Sequence, residues 1–385
     1  MKEILTGKSI FRSLLKCLKK AIFMITDTIA CFPCRRKKVA LIVRLDAIGD
    51  FFLWLQSGAL EISRFAGSEN RKVVLLANQR WAEYAKTLGL WDEVIAIDPD
   101  RFIRSLWYRL KWGFRIRRLG ASLFIQPRAA RVLLQDDAIA RVSGATRKVG
   151  PKGVLVNSSA LEQRIGNLFY HELIEVPSEH SVHEIRRNER FCMGLTGMTP
   201  GAVQLPEHTV KSNTGRMVIA LGAGWAGRVW PIGKLQQFLD ISLNRSRVLE
   251  VILLGTQADK IVAKQLCERF GDVIYDLTGT TTLSDYVSEI ASAEVVICNE
   301  SSAYHIAVAL RRKVICFLGG GHYGWFAPYP SSSYIDSCTR GLSVQMDCFW
   351  CNWICRYKRA VLDPVRCVAS ISVDSAVGAL DSVLG

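Results

Sequence analysis

Short apolar runs rich in β-branched residues recur along the chain, each followed by a segment with helical spacing. Val39-Ala40-Leu41-Ile42-Val43 is the first such run, followed by Lys72 to Ala77, Glu93 to Ile97 and Leu123 to Ile125. Between them, Phe51 to about Phe65, Trp81 to Leu88 and Phe102 to Leu119 read as helices. Continuous apolar runs suit strands covered on both faces, and strand–helix alternation predicts a parallel, doubly wound α/β sheet. The pattern stops over residues 195–215, where Pro200, Gly201 and Pro206 suggest a linker. It then restarts, with strands expected at Met217–Leu221, Val248–Leu254, Val273–Tyr275, Val295–Cys298 and Val314–Leu318, and helices at Ile232–Leu243 and Ala258–Phe270. Two α/β domains are therefore expected, over 38–200 and 201–385. A cleft between two such domains is a common ligand site.

Ahead of the first strand the pattern is different. Leu14, Leu15, Leu18, Ile22, Ile25 and Ile29 recur at helical spacing, flanked by Lys16, Lys19 and Lys20. The longest unbroken apolar run, Ala21 to Ile25, is too short to span a bilayer, and Asp27 interrupts its continuation. Residues 1–37 read as a basic arm whose amphipathic helix lies in a membrane interface. A helix packed on the domain surface is the rival. Cys-Arg-Arg-Lys-Lys follows instead of a small-residue cleavage site, which argues against a secretory signal and for the cytoplasmic side.

Charge sharpens this. The 385 residues carry a formal net charge of +15 with 49% hydrophobic residues, so cores are ample and an anionic partner is expected. A second basic stretch runs through Arg101, Arg104, Arg109, Lys111, Arg115, Arg117 and Arg118. Neither stretch resembles a nucleic-acid module, so an anionic membrane surface is favoured and nucleic acid is not. The 12 cysteines sit mostly singly in apolar runs, as suits a reducing compartment. Cys348, Cys351, Cys355 and Cys367 form a group that could hold a structural zinc, pair as disulfides or stay free.

Candidate chemistry falls at strand ends. Asp46 and Asp50 follow the first strand across Gly49; a carboxylate there could take a proton from a hydroxyl, or Asp50 could simply cap a helix. Gly222-Ala223-Gly224 leads through Arg228 to Trp230-Pro231. This loop could approach a diphosphate, though it is no P-loop, and a plain surface loop is equally compatible. Thr280 lies in Leu277-Thr278-Gly279-Thr280-Thr281-Thr282-Leu283. The most informative stretch is Asn299 to Ala307, with Glu300, Ser301, Ser302, Ala303 and His305 between a buried strand and a helix start. Such a place favours an anion. Its bland reading is a helix cap with a packed histidine.

Taken in order, these motifs resemble glycosyltransferase family nine, the lipopolysaccharide heptosyltransferase family. The matching elements are Val43 to Asp50, Gly222-Ala223 with Arg228-Val229-Trp230-Pro231, Leu253-Leu254-Gly255, Leu277 to Leu283 and Asn299 to Ala307, across residues 38–385. The resemblance implies a GT-B architecture, with two Rossmann-like domains facing across a cleft, and inverting, metal-independent transfer from a nucleotide-sugar. Asp50 would be the general base and Arg228, where the family usually has Lys, would stabilise the leaving diphosphate. Gly222, Ala223, Thr280, Glu300, Ser301, Ser302, Ala303 and His305 would bind the donor. No cofactor is required. ADP-heptose stands first as donor, with a lipopolysaccharide-core or related lipid-linked glycan as acceptor, on the inner face of the inner membrane. Glu300 replaces the family's Asp and Ser302-Ala303 its Gly-containing turn, at the place where the donor is chosen. Alternatives are an O-antigen or other surface-glycan transferase with a different donor, an epimerase of similar architecture, or a non-catalytic membrane-bound sugar-nucleotide-binding protein.

Overall fold

The computed structural model describes residues 7–245, 248–357, 360–361 and 363–385. Residues 1–6 of the basic arm, and the side chains of 7–17 within its helix, lie outside what is described. In chain order the elements are α1 (Gly7–Ala30), β1 (Val39–Arg44), α2 (Ile48–Leu55), α3 (Ala59–Gly67), β2 (Lys72–Asn78), α4 (Ala82–Thr87), β3 (Glu93–Ile97), α5 (Pro99–Phe102), α6 (Leu106–Arg118), β4 (Leu123–Ile125), α7 (Ala138–Ser143), β5 (Arg147–Pro151), α8 (Ala160–Asn167), β6 (Glu172–Ile174) and α9 (Glu184–Thr196). There follow β7 (Arg216–Ala220), α10 (Ile232–Asn244), β8 (Glu250–Leu254), α11 (Lys260–Phe270), β9 (Ile274–Asp276), α12 (Leu283–Ser292), β10 (Val295–Asn299), α13 (Ser302–Ala309), β11 (Lys313–Phe317), α14 (Ser333–Cys338), β12 (Thr339–Leu342), α15 (Arg366–Ala369) and α16 (Val373–Leu384).

The chain forms two compact units. The first comprises residues 1–46, 58–178 and 187–201, and the second 47–57, 179–186 and 202–385. The first holds a six-stranded sheet in the order β3-β2-β1-β4-β5-β6, the second one in the order β12-β11-β10-β7-β8-β9, and every strand pair is parallel. The strands are apolar because helices cover both faces: β1 and β10 are buried along their whole length. In each sheet the order reverses once, between β1 and β4 and between β7 and β10. The loops leaving those strands flank the crevice where open α/β sheets take ligands.

Two expected helices are broken. The span from Phe51 to Phe65 is interrupted at Gly58, whose φ of 145° ends any helix; a Cβ there would lie 2.9 Å from the Cys192 Cβ. The span from Phe102 to Leu119 restarts at Ser105, whose hydroxyl accepts from the Tyr108 N–H. Strands β5, β6 and β12 are further findings. They are short edge-side strands without a strong apolar run, and β6 is only three residues long.

Among the described residues no helix is long and apolar enough to cross a membrane. Helix α1 packs in the first unit, where Asp27 accepts both Nε (2.6 Å) and Nη2 (2.7 Å) of Arg109. Both side chains are almost fully buried, and burial raises the Asp27 pKa despite the guanidinium.

Candidate functional site

In the second unit, four loops converge at the C-terminal edge of the sheet. The loops after β7, β8 and β9 meet around Asp259, which caps its own helical turn by accepting from the Thr256 N–H and hydroxyl. A Cβ on Gly222 or on Gly255 would lie 2.8 Å from the Asp259 carboxylate, and Gly279 donates its N–H to the Gly255 carbonyl at 2.9 Å. These glycines are required by close packing. Ala223 is half-buried beside them. Thr280 is exposed, and its hydroxyl donates to the Leu277 carbonyl within its own turn.

The loops after β7 and β10 are tied across the switch point by Asn299. Its amide donates to the Leu221 carbonyl (2.8 Å) and its Oδ1 accepts from the Trp230 N–H (2.8 Å). Trp230 stacks on Phe317 with centroids 4.1 Å apart, and its indole N–H is held by the Ile371 carbonyl. Asn299 therefore fixes the frame on which its neighbours are presented.

The Ser301 side chain does not cap α13. Its hydroxyl is buried without a hydrogen-bond partner among the described residues. A buried hydroxyl left unpaired is costly unless something else occupies the place. The helix-cap reading of this stretch thus fails for Ser301.

Glu300 is also not a cap. It is buried, and Oε2 lies 3.4 Å from the Gly319 N–H. Burial pushes its pKa up to about 7, opposed by the charge of Arg228. Arg228 ends a short 3-10 turn (Ala226–Arg228), with its guanidinium 4.6 Å from the Trp353 ring centroid and a buried Nε that has no partner. Trp353 is in turn seated by glycines: a Cβ on Gly319 or Gly321 would lie 2.5 Å or less from its ring. Gly319 and Gly321 thus make room for this tryptophan, and Gly320 between them makes room for Phe349.

Asp50 belongs to the same unit. Its helix, α2, packs on α13, and a Cβ on Gly49 would lie 2.8 Å from the His305 Cδ2 and 3.7 Å from the Ser302 Cα. Asp50 thereby stands half-buried close to the start of α13. Asp46 is elsewhere: it pairs with Arg44 at 2.8 Å in the first unit. His305 is buried, with Nδ1 3.0 Å from the Tyr329 hydroxyl. Burial, then His183, lowers its pKa to about 3, so the ring is neutral and serves as packing between α2 and Tyr329.

Arg228 thus acts on Glu300, while Gly49, the neighbour of Asp50, packs against Ser302 and His305. The framing roles of Asn299, Trp353 and Tyr329 carry no local sequence signal, because they depend on distant partners. The first unit has its own buried polar groups in the loop after β4: Arg128 donates to Gln135 and Asp136, while Gln126 Nε2 and Asp136 Oδ1 have no partner. Cys348, Cys351, Cys355 and Cys367 line one cavity in the second unit, and all four are free thiols. No three His, Cys, Asp or Glu among the described residues are grouped to hold a metal ion. Burial raises the Cys367 pKa, and its sulfur accepts from the Gly320 N–H at 3.4 Å.

Two parallel Rossmann-like sheets with this loop constellation define a glycosyltransferase of the GT-B architecture. Residues 163–345 match the family described as glycosyltransferase family 9 (heptosyltransferase). Asp50 lies outside the matched span. No curated protein matches the chain in sequence. Among solved structures it is similar to E. coli ADP-heptose lps heptosyltransferase II, at 15% identity and a TM-score of 0.64, over 90% of this chain and 98% of that one. E. coli heptosyltransferase WaaC with ADP-2-deoxy-2-fluoro heptose has 16% identity and a TM-score of 0.64, over 89% and 98%. The dodecameric glycosyltransferase TibC from enterotoxigenic E. coli, described as iron-containing, has 13% identity and a TM-score of 0.53, over 92% and 77%. At these identities the likeness establishes the fold.

Proposed function

We propose that this glycosyltransferase moves a sugar, with inversion, from a nucleotide-sugar donor to a lipopolysaccharide-core or related lipid-linked glycan. ADP-heptose stands first as donor, since the similar WaaC structures carry ADP or an ADP-heptose analogue. The observation that carries the reading is the start of α13: no side-chain cap at Ser301, a buried hydroxyl without a partner, and Arg228 as the charge beside Glu300. A diphosphate supplies what these groups lack, acceptor oxygens and negative charge.

In the proposed step, the Asp50 carboxylate takes the acceptor hydroxyl's proton as that oxygen bonds to the anomeric carbon. The bond from that carbon to the diphosphate oxygen breaks on the opposite face. The electron pair leaves with the diphosphate, held by Arg228 and the α13 N–H groups. Glu300 faces the sugar, with Ser302 and Ala303 shaping the pocket, Gly222 and Ala223 against the nucleotide, and Thr280 at its edge. The charge of the diphosphate is met by protein groups, so no step runs through a metal. A zinc or iron at Cys348, Cys351, Cys355 and Cys367 would be structural, and would require the four sulfurs to draw together. A lipid-linked acceptor places the reaction at the cytoplasmic face of the inner membrane, on an anionic surface.

The test is transfer from a panel of ADP-, GDP-, UDP- and dTDP-sugars to a lipid-linked acceptor, with the anomeric configuration of the product read by NMR. Asp50→Ala is expected to lose transfer by about 10²–10⁴-fold with nucleotide affinity kept. Full transfer by Asp50→Ala would remove Asp50 as the base. Tight nucleotide binding with neither transfer nor donor hydrolysis would make the protein a binding module.

A further inference from the structure

Helix α1 is pinned along one face and bare along the other. On the pinned face Phe23, Asp27 and Ala30 are buried, with Asp27 on Arg109. Arg141 donates to the Met24 carbonyl at 3.0 Å, Arg117 Nε to the Phe32 carbonyl at 2.6 Å, and a Cβ on Gly113 would lie 2.8 Å from the Ala30 methyl. Residues 27, 30 and 32 meet 109, 113 and 117 in turn, so α1 and α6 lie side by side and run in the same direction.

The bare face carries Leu18, Ile22, Ile25 and Ile29, which are 58%, 41%, 63% and 59% exposed. Spacings of four, three and four place them in one row along the helix. This inverts ordinary amphipathic docking, in which the aliphatic row faces the core and the aspartate faces water. Single exposed hydrophobics are normal, but a contiguous row marks a contact surface.

Charge identifies the occupant. Lys19 is exposed on α1, Arg35, Arg36, Lys37 and Lys38 are exposed just beyond it, and α6 presents Lys111, Arg115 and Arg118 as an exposed row. The chain as a whole carries +15. An aliphatic row accompanied by cations matches an anionic bilayer, with acyl chains meeting the row and headgroups meeting the cations.

We propose that α1 is a rigid foot: its Leu18–Ile29 row lies in the headgroup–acyl boundary of an anionic bilayer, while the Asp27–Arg109 pair locks the helix to the first unit. This deepens the membrane-surface reading above and rests on it for location only. The basic arm then acts as part of the fold, holding that unit at a set angle to the surface, where a loose tether would leave the angle free.

The full chain would be sedimented with phosphatidylglycerol–phosphatidylethanolamine vesicles and with phosphatidylcholine vesicles. Ile25→Asp/Ile29→Asp should weaken partition to the anionic vesicles by at least roughly tenfold. Ile261→Asp, at an equally exposed aliphatic of the second unit, should leave it unchanged. The circular dichroism melt of the double variant should match wild type. In Ile25→Trp, the added tryptophan should shift to the blue on vesicles and be quenched by brominated lipid. Partition that survives the double substitution, or an Ile25→Trp signal that ignores lipid, overturns the foot. So does a lipid-free dimer that the double substitution dissolves, since a second copy would then cover the row. The nucleotide-sugar panel separates the two readings: absence of both transfer and donor hydrolysis from wild type would sink the transferase, while vesicle binding would still decide the role of α1.

Discussion

Glu300 should make the second unit lose stability as pH rises, and Glu300→Gln should abolish that loss. The carboxyl is 6% exposed, and burial raises its pKa from 4.5 to about 7 although Arg228 and the Gly319 N–H both favour the anion. The folded protein therefore holds this proton more tightly than the unfolded chain does. Between the two pKa values the native state binds more protons, so stability falls with increasing pH. The contribution is fully present below about 4.5 and is lost as pH rises to about 7. At 1.36 kcal/mol per unit, the loss between pH 5 and pH 8 is about 2–3 kcal/mol. Glutamine keeps the shape and can still accept from the Gly319 N–H, but it cannot ionise. Urea unfolding of wild type and Glu300→Gln at both pH values, without nucleotide, isolates the effect, because every other titrating group cancels. The variant should gain about 2–3 kcal/mol relative to wild type on going from pH 5 to pH 8. Parallel pH profiles would refute this linkage and mean that Glu300 is ionised and solvated.

Gly49→Ala drives a methyl into His305 and should cost about 1–3 kcal/mol. His305→Ala in the same chain should return part of that loss, which a double-mutant cycle in urea would measure as coupling. Arg228→Ala should lower kcat by about 10²–10³. Arg228→Lys should recover only part, because lysine keeps the charge without the guanidinium's stack on Trp353. Arg109→Met leaves Asp27 buried and unpaired, at a cost of about 3–5 kcal/mol to the first unit. Hydrogen exchange should then show α1 amides losing protection before those of β1.

Much of the architecture is legible in local pattern. The buried strands β1, β2, β7, β8, β10 and β11 are apolar because both faces are covered, and that requirement is written into each run. The restart of the pattern is visible for the same reason. The break at Gly58 is not, because it depends on the approach of Cys192 from α9, more than a hundred residues on. The site divides similarly. Strand-end position picks out Asp50, Arg228 and Glu300 as candidates, since chemistry at a switch point needs polar residues in loops. It does not separate His305, whose burial under Tyr329 makes it a packing ring, from its neighbours. Nor does it reveal that Gly319 and Gly321 admit Trp353, which then braces Arg228.

Under the proposed function, the start of α13 also makes the nucleotide a ligand of folding. The Ser301 hydroxyl has no protein partner among the described residues, and the unfolded chain would offer a nucleotide no comparable place. Any anion that fits should therefore raise the melting temperature. A ligand at a hundred times its Kd adds about 2.7 kcal/mol. Inorganic phosphate in a storage buffer would claim a share of that gain. Stability measured in phosphate would then report on occupancy as much as on the protein, and a melting screen in phosphate-free buffer becomes a direct way to rank donors.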